Sequence, residues 1–292
     1  MREISLRMSE FPPSGDHAAL LRAVQGDAAL CTIVGIDGSF SRRVGTQLAV
    51  AMDGSRAGDM ADRCLDEELA SQAIAAMVQG EAEGGARMLR YGRGSPFVDF
   101  RLPCGSGLDI WIDPTPDLAE LRRCVTELEA RCAAVLPLAG GLLRERRYIP
   151  RLRIVLLGAG AECAALVRLA AAQGIDVDWR EAGQGLSLGQ PPQDLVADAW
   201  TAVLLLFHDH EWEVPLLDWA LGTPAFYLGA QGGAPARQER LERLHAAGHG
   251  ETDLARIKSP VGLIPAARDP AVLALSVLAD VVGAYEALHP HR

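Results

Sequence analysis

The sequence predicts an α/β protein in two parts: an N-terminal mixed α/β domain, residues 1–148, and a C-terminal Rossmann-like doubly wound parallel-sheet domain, residues 149–292. Three observations predict this. A chain of 292 residues is longer than one hydrophobic core usually organises. The second half alternates apolar runs of strand length with helical periodicity, the pattern of a parallel sheet covered on both faces. Between the halves runs PLAGGLLRERRYIPR, rich in Pro, Gly and Arg, which reads as a linker over roughly 137–150.

Taken in order, 15–26 is a short amphipathic helix around HAALLRAV, and Ala29–Gly35 a strand. A second strand over Thr46–Met52 is closed by the turn pair Asp53–Gly54. From Cys64 to Gln79 the apolar residues Leu65, Leu69, Ala73, Ala76 and Met77 fall on one helix face. Arg87–Tyr91, Phe97–Leu102 and Leu108–Ile112 read as strands, and Leu118–Leu136 as a helix. In the second half, strands are expected at Arg153–Leu157, Ile175–Trp179, Ala202–Phe207 and Ala225–Leu228. Helices are expected at Ala161–Gln173, Glu211–Leu221, Ala236–Ala247 and Asp269–Leu288.

Composition narrows the function classes. A net charge of −10 argues against a nucleic-acid partner, which favours a basic face. No apolar run is long enough for a bilayer, and the opening MREISLRMSEFPPSGD lacks the apolar region of a signal peptide, so a cytoplasmic location is expected. The six cysteines form no CxxC pair, which disfavours a zinc ribbon or a thioredoxin-type site. Cys124 and Cys132, eight residues apart, are expected to share the buried face of one helix.

Five segments carry possible chemistry. In LLGAGAECAAL, Gly158 supplies a tight turn and Gly160 lets a phosphate approach a helix amino end, while Cys163 stands at the third glycine position of the fingerprint. Glu181, after the second strand, is the best candidate for an acidic residue on a ribose; a tight turn without ligand is the alternative. His208, Asp209 and His210 follow the strand Ala202–Phe207, where doubly wound sheets bind ligands. A metal there lacks a third protein ligand at recognisable spacing, so polar recognition or helix capping by Asp209 is the expectation, and no metal site is assigned. In DGSFSRRVG, Ser39, Ser41, Arg42 and Arg43 suit a phosphate or form a solvated hairpin tip. Cys64 opens a helix, where free amides favour a thiolate, although Asp66, Glu67 and Glu68 work against one and Asp62 reads as a plain cap. Cys104, in PCGSG just ahead of a strand, is a thiol the turn does not need.

Together, in this order, these segments resemble the XdhC/CoxI family of accessory proteins for molybdenum hydroxylases. The resemblance rests on Gly38-Ser39-Phe40-Ser41-Arg42, the Cys64 loop, Cys104-Gly105-Ser106, Gly158-Ala159-Gly160, His208-Asp209-His210, Pro224 to Ala230 and SPVGLIPAARDP. Two departures stand out: Asp62-Arg63 replaces a Gly-Gly pair, and Gly232-Gly233-Ala234-Pro235 replaces a basic GSRR, with Arg237 the expected substitute. The resemblance implies a protein that binds molybdenum cofactor (molybdopterin or its dinucleotide form), supports its sulfuration and delivers it to an apo-hydroxylase. It implies that Cys64, Cys104, Gly105, Ser39 and Arg42 act with Gly158, Gly160, Glu181 and the His208–His210 loop. Cys64 and Cys104 are then expected to face a cleft between the domains. A cysteine desulfurase and a second copy of the chain are further candidate partners. Two other readings stay open: an NAD(P)-dependent oxidoreductase using the Rossmann motif, and a scaffold that binds a hydroxylase subunit without handling its cofactor.

Overall fold

The computed structural model describes residues 15–61, 63–79, 85–96, 102, 105–139 and 141–291. The chain divides into two compact units. The described residues up to Pro150, joined by Pro290 and His291, form the first; Arg151–His289 form the second.

The first unit is built on a five-stranded antiparallel sheet of order β3-β2-β1-β5-β4. Its strands are β1 (Ala28–Asp37), β2 (Gln47–Ala51), β3 (Arg56–Gly58), β4 (Arg87–Gly92) and β5 (Gly107–Asp113). Side chains alternate across a strand, and both faces are covered. Cys31, Ile33, Leu108 and Ile110 pack under Leu65 and Leu69 of α2 (Arg63–Gln79). Leu30 and Ala49 pack on the other face with Leu20 of α1 (Ala18–Ala23) and Leu121 and Cys124 of α3 (Leu118–Glu129). Coverage on both faces is why β1 reads as a continuous apolar run. The Phe97–Leu102 strand expected from sequence lies, except for Leu102, outside the described residues, as does Asp62.

Helix α3 is shorter than the expected 118–136. Asp117 caps its start, accepting from the Ala119 and Glu120 amides. It ends because Arg131 takes a left-handed conformation (φ +61°), so that the Arg131 amide donates to Leu128 O and the Cys132 amide to Glu127 O. This is the Schellman arrangement, made here without the usual glycine. Cys132 therefore lies beyond the helix and is exposed, whereas Cys124 is buried. The supposed linker also holds structure: β6 (Ala134–Pro137) pairs with β7 (Glu145–Tyr148). From β7, the buried Arg146 reaches Asp16 and the buried Tyr148 hydroxyl donates to Gln47.

The second unit is a parallel sheet of order β10-β9-β8-β11-β12-β13. Its strands are β8 (Arg153–Gly158), β9 (Asp176–Ala182), β10 (Gly185–Leu186), β11 (Thr201–Leu206), β12 (Tyr227–Ala230) and β13 (Ile257–Lys258). Counted within the unit, the order is 3-2-1-4-5-6, that of dinucleotide-binding sheets. Alternation along β11 splits its side chains between two cores. Ala202, Leu204 and Leu206 face α4 (Ala161–Ala172) and the long C-terminal helix Pro270–Glu286. Val203 and Leu205 face α5 (Glu213–Leu221) and α6 (Ala234–Ala246). The helix α7 (Glu251–Leu254) precedes β13, and Pro270–Glu286 is α8. No helix among the described residues is long and apolar enough to cross a membrane.

The cores also set thiol reactivity. Burial, aided by Asp66, pushes the Cys31 thiol up to about 12; burial with Glu162 and Glu181 takes Cys163 to about 12, and burial takes Cys124 to about 11. Alkylation of the native protein at mildly alkaline pH is expected to label Cys64 and Cys132, which are exposed, and to spare these three until denaturant is added. Peptide mass spectrometry reads the pattern.

Candidate functional site

In the second unit the sheet order reverses between β8 and β11, and the predicted residues gather at the carboxyl ends of these strands and of β9. Gly158 closes β8 with φ +148°; a Cβ there would lie 2.4 Å from Leu206 O of β11. Gly160 is the N-cap of α4. Cys163 is buried against β8 in the third glycine position, acting as a small apolar residue. Glu181 lies one place beyond the Leu157–Arg180 pair, level with Gly158 on the neighbouring strand. Arg180 instead ion-pairs with Asp178 at 2.6 Å.

Two buried carboxylates back the histidines of the loop after β11. Glu162, in the first turn of α4 and 5 % exposed, has Oε1 2.8 Å from Nε2 of the exposed His208, out of line for a hydrogen bond. The positive end of α4 is thus already faced by a carboxylate of the chain itself, which opposes a phosphate at that turn. His210 Nδ1 lies 2.9 Å from Oε1 of the buried Glu213, a contact that orients the ring and leaves Nε2 as its other polar atom. Asp209 accepts the Glu211 amide at 3.0 Å, so it is a cap, as one sequence alternative had it.

Arg240 of α6 completes this cluster. It is 2 % exposed and forms a fork on Glu213 (Nε to Oε2 2.7 Å, Nη2 to Oε1 2.8 Å). It also donates to Gln231 O at 2.6 Å and Ser259 Oγ at 2.7 Å. One guanidinium thereby ties together the segments that follow β11, β12 and β13. Arg237, the residue expected to replace the missing basic pair, is exposed on α6; Arg240 is the one turned inward.

In the first unit, Asp37 of β1 pairs with Gly107 of β5, Gln47 of β2 with Thr32 of β1, and Gly58 of β3 with Leu48 of β2. The loop holding Ser39 and Arg42, the segment leading to Cys64 and the turn at Gly105 therefore leave one end of the sheet. Gly38 would place a Cβ 3.5 Å from Ser106, so the first loop and the turn touch. Arg42 fastens its loop to Asp59 (Nη2 to Oδ2 2.5 Å) and lines a polar pocket of about 420 Å³ with Asp16, Ser41, Arg43, Thr46 and Asp59. Burial works against the Asp59 charge, but the Ala61 amide and Arg42 outweigh it and hold the carboxyl below its ordinary range. Gly105 has φ +67° and open space where a Cβ would stand. Arg90, bonded to Asp109 at 2.7 Å and Asp37 at 3.2 Å, braces this end of the sheet. Cys104 lies outside the described residues. Among the described residues no group of three or more His, Cys, Asp and Glu side chains is placed to hold a metal.

Residues 154–281 match the model of the XdhC Rossmann domain and residues 21–92 that of the XdhC and CoxI family. Over 289 residues the chain is 33 % identical to the Molybdenum cofactor insertion chaperone PaoD of Escherichia coli (strain K12), covering 91 % of this chain and 88 % of that protein. The chain belongs to the XdhC and CoxI family. A second relative, from Bacillus subtilis (strain 168) and named as a probable xanthine dehydrogenase subunit, is 28 % identical over 153 residues, 47 % of this chain and 44 % of that protein. A crystal structure described as a xanthine dehydrogenase from Bacillus halodurans has the same fold, with a TM-score of 0.68 over 93 % of this chain and 96 % of that one at 17 % identity. Gly158, Gly160 and His208–His210, singled out from sequence, fall within the stretch matched to the Rossmann-domain model, whereas the groups packed behind them were missed. Glu162 and Glu213 sit two and three residues from recognised positions, a local signal; Arg240, 27 residues from Glu213, left none.

Proposed function

We propose that this protein is a maturation factor that binds the molybdenum cofactor, supports its sulfuration and passes it to an apo molybdenum hydroxylase of the xanthine dehydrogenase type. The observation that carries the reading is the 33 % identity, over nearly the whole of both chains, to a protein named for molybdenum cofactor insertion. The chemistry agrees with it: molybdenum accepts soft sulfur ligands, and Cys64 is an exposed thiol at the end of the sheet that also presents Ser39, Arg42 and the open turn at Gly105. On this reading Cys104 joins Cys64 in holding the metal end of the cargo. The cargo is molybdopterin or its dinucleotide form, the setting is the cytoplasm, and a cysteine desulfurase and a second copy of the chain are candidate partners beside the hydroxylase.

The 3-2-1-4-5-6 sheet and the position of Glu181 favour a second reading, an NAD(P)-dependent oxidoreductase. Glu162 at the start of α4 counts against a pyrophosphate there. Purification from cells with and without molybdenum cofactor supply separates the two. Wild type is expected to carry pterin and no NAD(P), and Cys64→Ala and Cys104→Ala to retain roughly a tenth of the pterin or less, as loss of a strong metal ligand implies. NAD(P) turnover with a substrate, or unchanged pterin in both variants, sinks the maturation reading as stated.

A further inference from the structure

Along α8, beside the edge strand β13, the second unit holds a cavity of about 460 Å³, lined by Phe226, Arg256, Lys258, Leu263, Ala279 and Gly283 among others. Its volume suits a small molecule. None of the residues assigned to the cofactor lines it.

Lys258 is the only lysine in a chain with 28 lysines and arginines. Its ammonium rests 2.5 Å from Oδ1 of Asp280, and its side chain is 47 % exposed. Asp280 is buried and otherwise engaged: Oδ2 accepts the Tyr227 hydroxyl at 2.8 Å and the Gly262 amide at 3.1 Å. Asp280 therefore fixes the ammonium at the cavity wall but takes only one of its three N–H bonds. The other two have no partner among the described residues. An arginine fork would compete for both carboxylate oxygens, whereas a lysine leaves donors to spare.

Arg256 adds charge to the same wall. Its Nη1 donates to Leu221 O at 2.7 Å, and its Nη2 to Thr223 O at 2.9 Å and Ala225 O at 3.3 Å. No carboxylate pairs with it among the described residues. With Asp280 set against Lys258, the guanidinium charge of Arg256 is left over, in a chain whose net charge is −10. The remaining surface is apolar: the rings of Phe226 and Tyr227, the 60 % exposed Leu263, and Ala279 and Ala284 of α8. Such a site selects one negative charge on an apolar body. A phosphate is poorly served, because the Arg256 fork is spent on carbonyls and α8 offers its later turns rather than its amino end.

We infer that this cavity binds a small organic acid, its carboxylate on Lys258 and its apolar body along Phe226, Leu263 and Ala279. The site is separate from the residues proposed to hold the molybdenum cofactor and does not depend on that reading.

The test titrates octanoate into the full-length protein by calorimetry, with lysine-selective carbon-13 labelling as a second readout. Because Lys258 is the single lysine, the labelled protein gives one lysine Cε signal. One saturable site is expected, and the Lys258 signal moves as it fills. Acetate, a head without a body, and octanol, a body without a charge, should each bind roughly tenfold or more weakly. Lys258→Met keeps the stem and removes the charge, and should weaken octanoate binding roughly tenfold or more, the scale of a hydrogen bond between charged groups. Gly283→Leu fills the cavity without touching the charge. An added Cβ there meets nothing within 4 Å and leucine is the better helix former, so Tm should not fall while binding weakens by a similar factor. Equal binding by wild type and Gly283→Leu, or a Lys258 signal unmoved at saturation, overturns the site. Octanol binding as well as octanoate overturns the carboxylate assignment, and the absence of saturable binding overturns both.

Discussion

Arg240→Ala is expected to lower the stability of the second unit by about 3–5 kcal/mol, seen as a fall in its urea midpoint with little change in slope. The size follows from what is left behind. Glu213 is 1 % exposed, and Arg240 supplies both of its short charge-assisted bonds. Without the guanidinium, a carboxylate remains buried with, among the described residues, only His210 as an ion-pair partner. The Gln231 carbonyl and the Ser259 hydroxyl each lose a bond as well. Swapping both partners for leucine removes the buried charge altogether, so Glu213→Leu with Arg240→Leu should be more stable than either single variant. The double variant should still lose the order of the His210 loop, since three strand ends depend on one side chain. If Arg240→Ala unfolds within about 1 kcal/mol of wild type, the pair is behaving as a solvated surface bridge and the clamp does not exist.

The clamp also shows where sequence reading stops. Strand and helix periodicity over Arg153–Glu286 was legible because both faces of the sheet are buried, so each strand is a dense apolar run and each helix has one apolar stripe. The Gly158–Gly160 turn and the His208–His210 loop were legible because they follow strands directly. Arg240 was not, because nothing local marks an arginine on a charged helix as the one turned inward; only the packing of α6 against α5 decides it. The same limit applies to Arg131, whose left-handed backbone ends α3 without a glycine to announce it. It applies again to β7, where Arg146 hid a strand inside what composition presents as a linker, though its side chain is 1 % exposed. Charged residues with buried partners are invisible to patterning that equates charge with surface.

Gly158→Ala is expected to lower stability by about 2–6 kcal/mol, combining roughly 1–3 kcal/mol of backbone strain with roughly 1–3 kcal/mol of overpacking. Sequence logic assigns this glycine to the tight turn of a nucleotide fingerprint. The structure adds a reason that needs no ligand: an added methyl would sit 2.4 Å from Leu206 O and 2.7 Å from Leu206 C, both backbone atoms of β11. Strand β11 is central and cannot retreat without moving β12 with it. Gly160, two residues on, is a control within the same turn. It shares a positive φ (+125°), but its added methyl would meet the Glu162 side chain at 3.0–3.2 Å, which can shift. Gly160→Ala should therefore carry the strain and little of the overpacking, and be less damaging by roughly 1–3 kcal/mol. Urea denaturation of the two variants gives the comparison directly. Equal losses would mean that the spacing of β8 and β11 is not what demands glycine at 158. A larger loss at 160 would mean that the rigid feature of the turn is the Glu162 carboxylate, held in place against His208 more firmly than a side chain at a helix start ordinarily is.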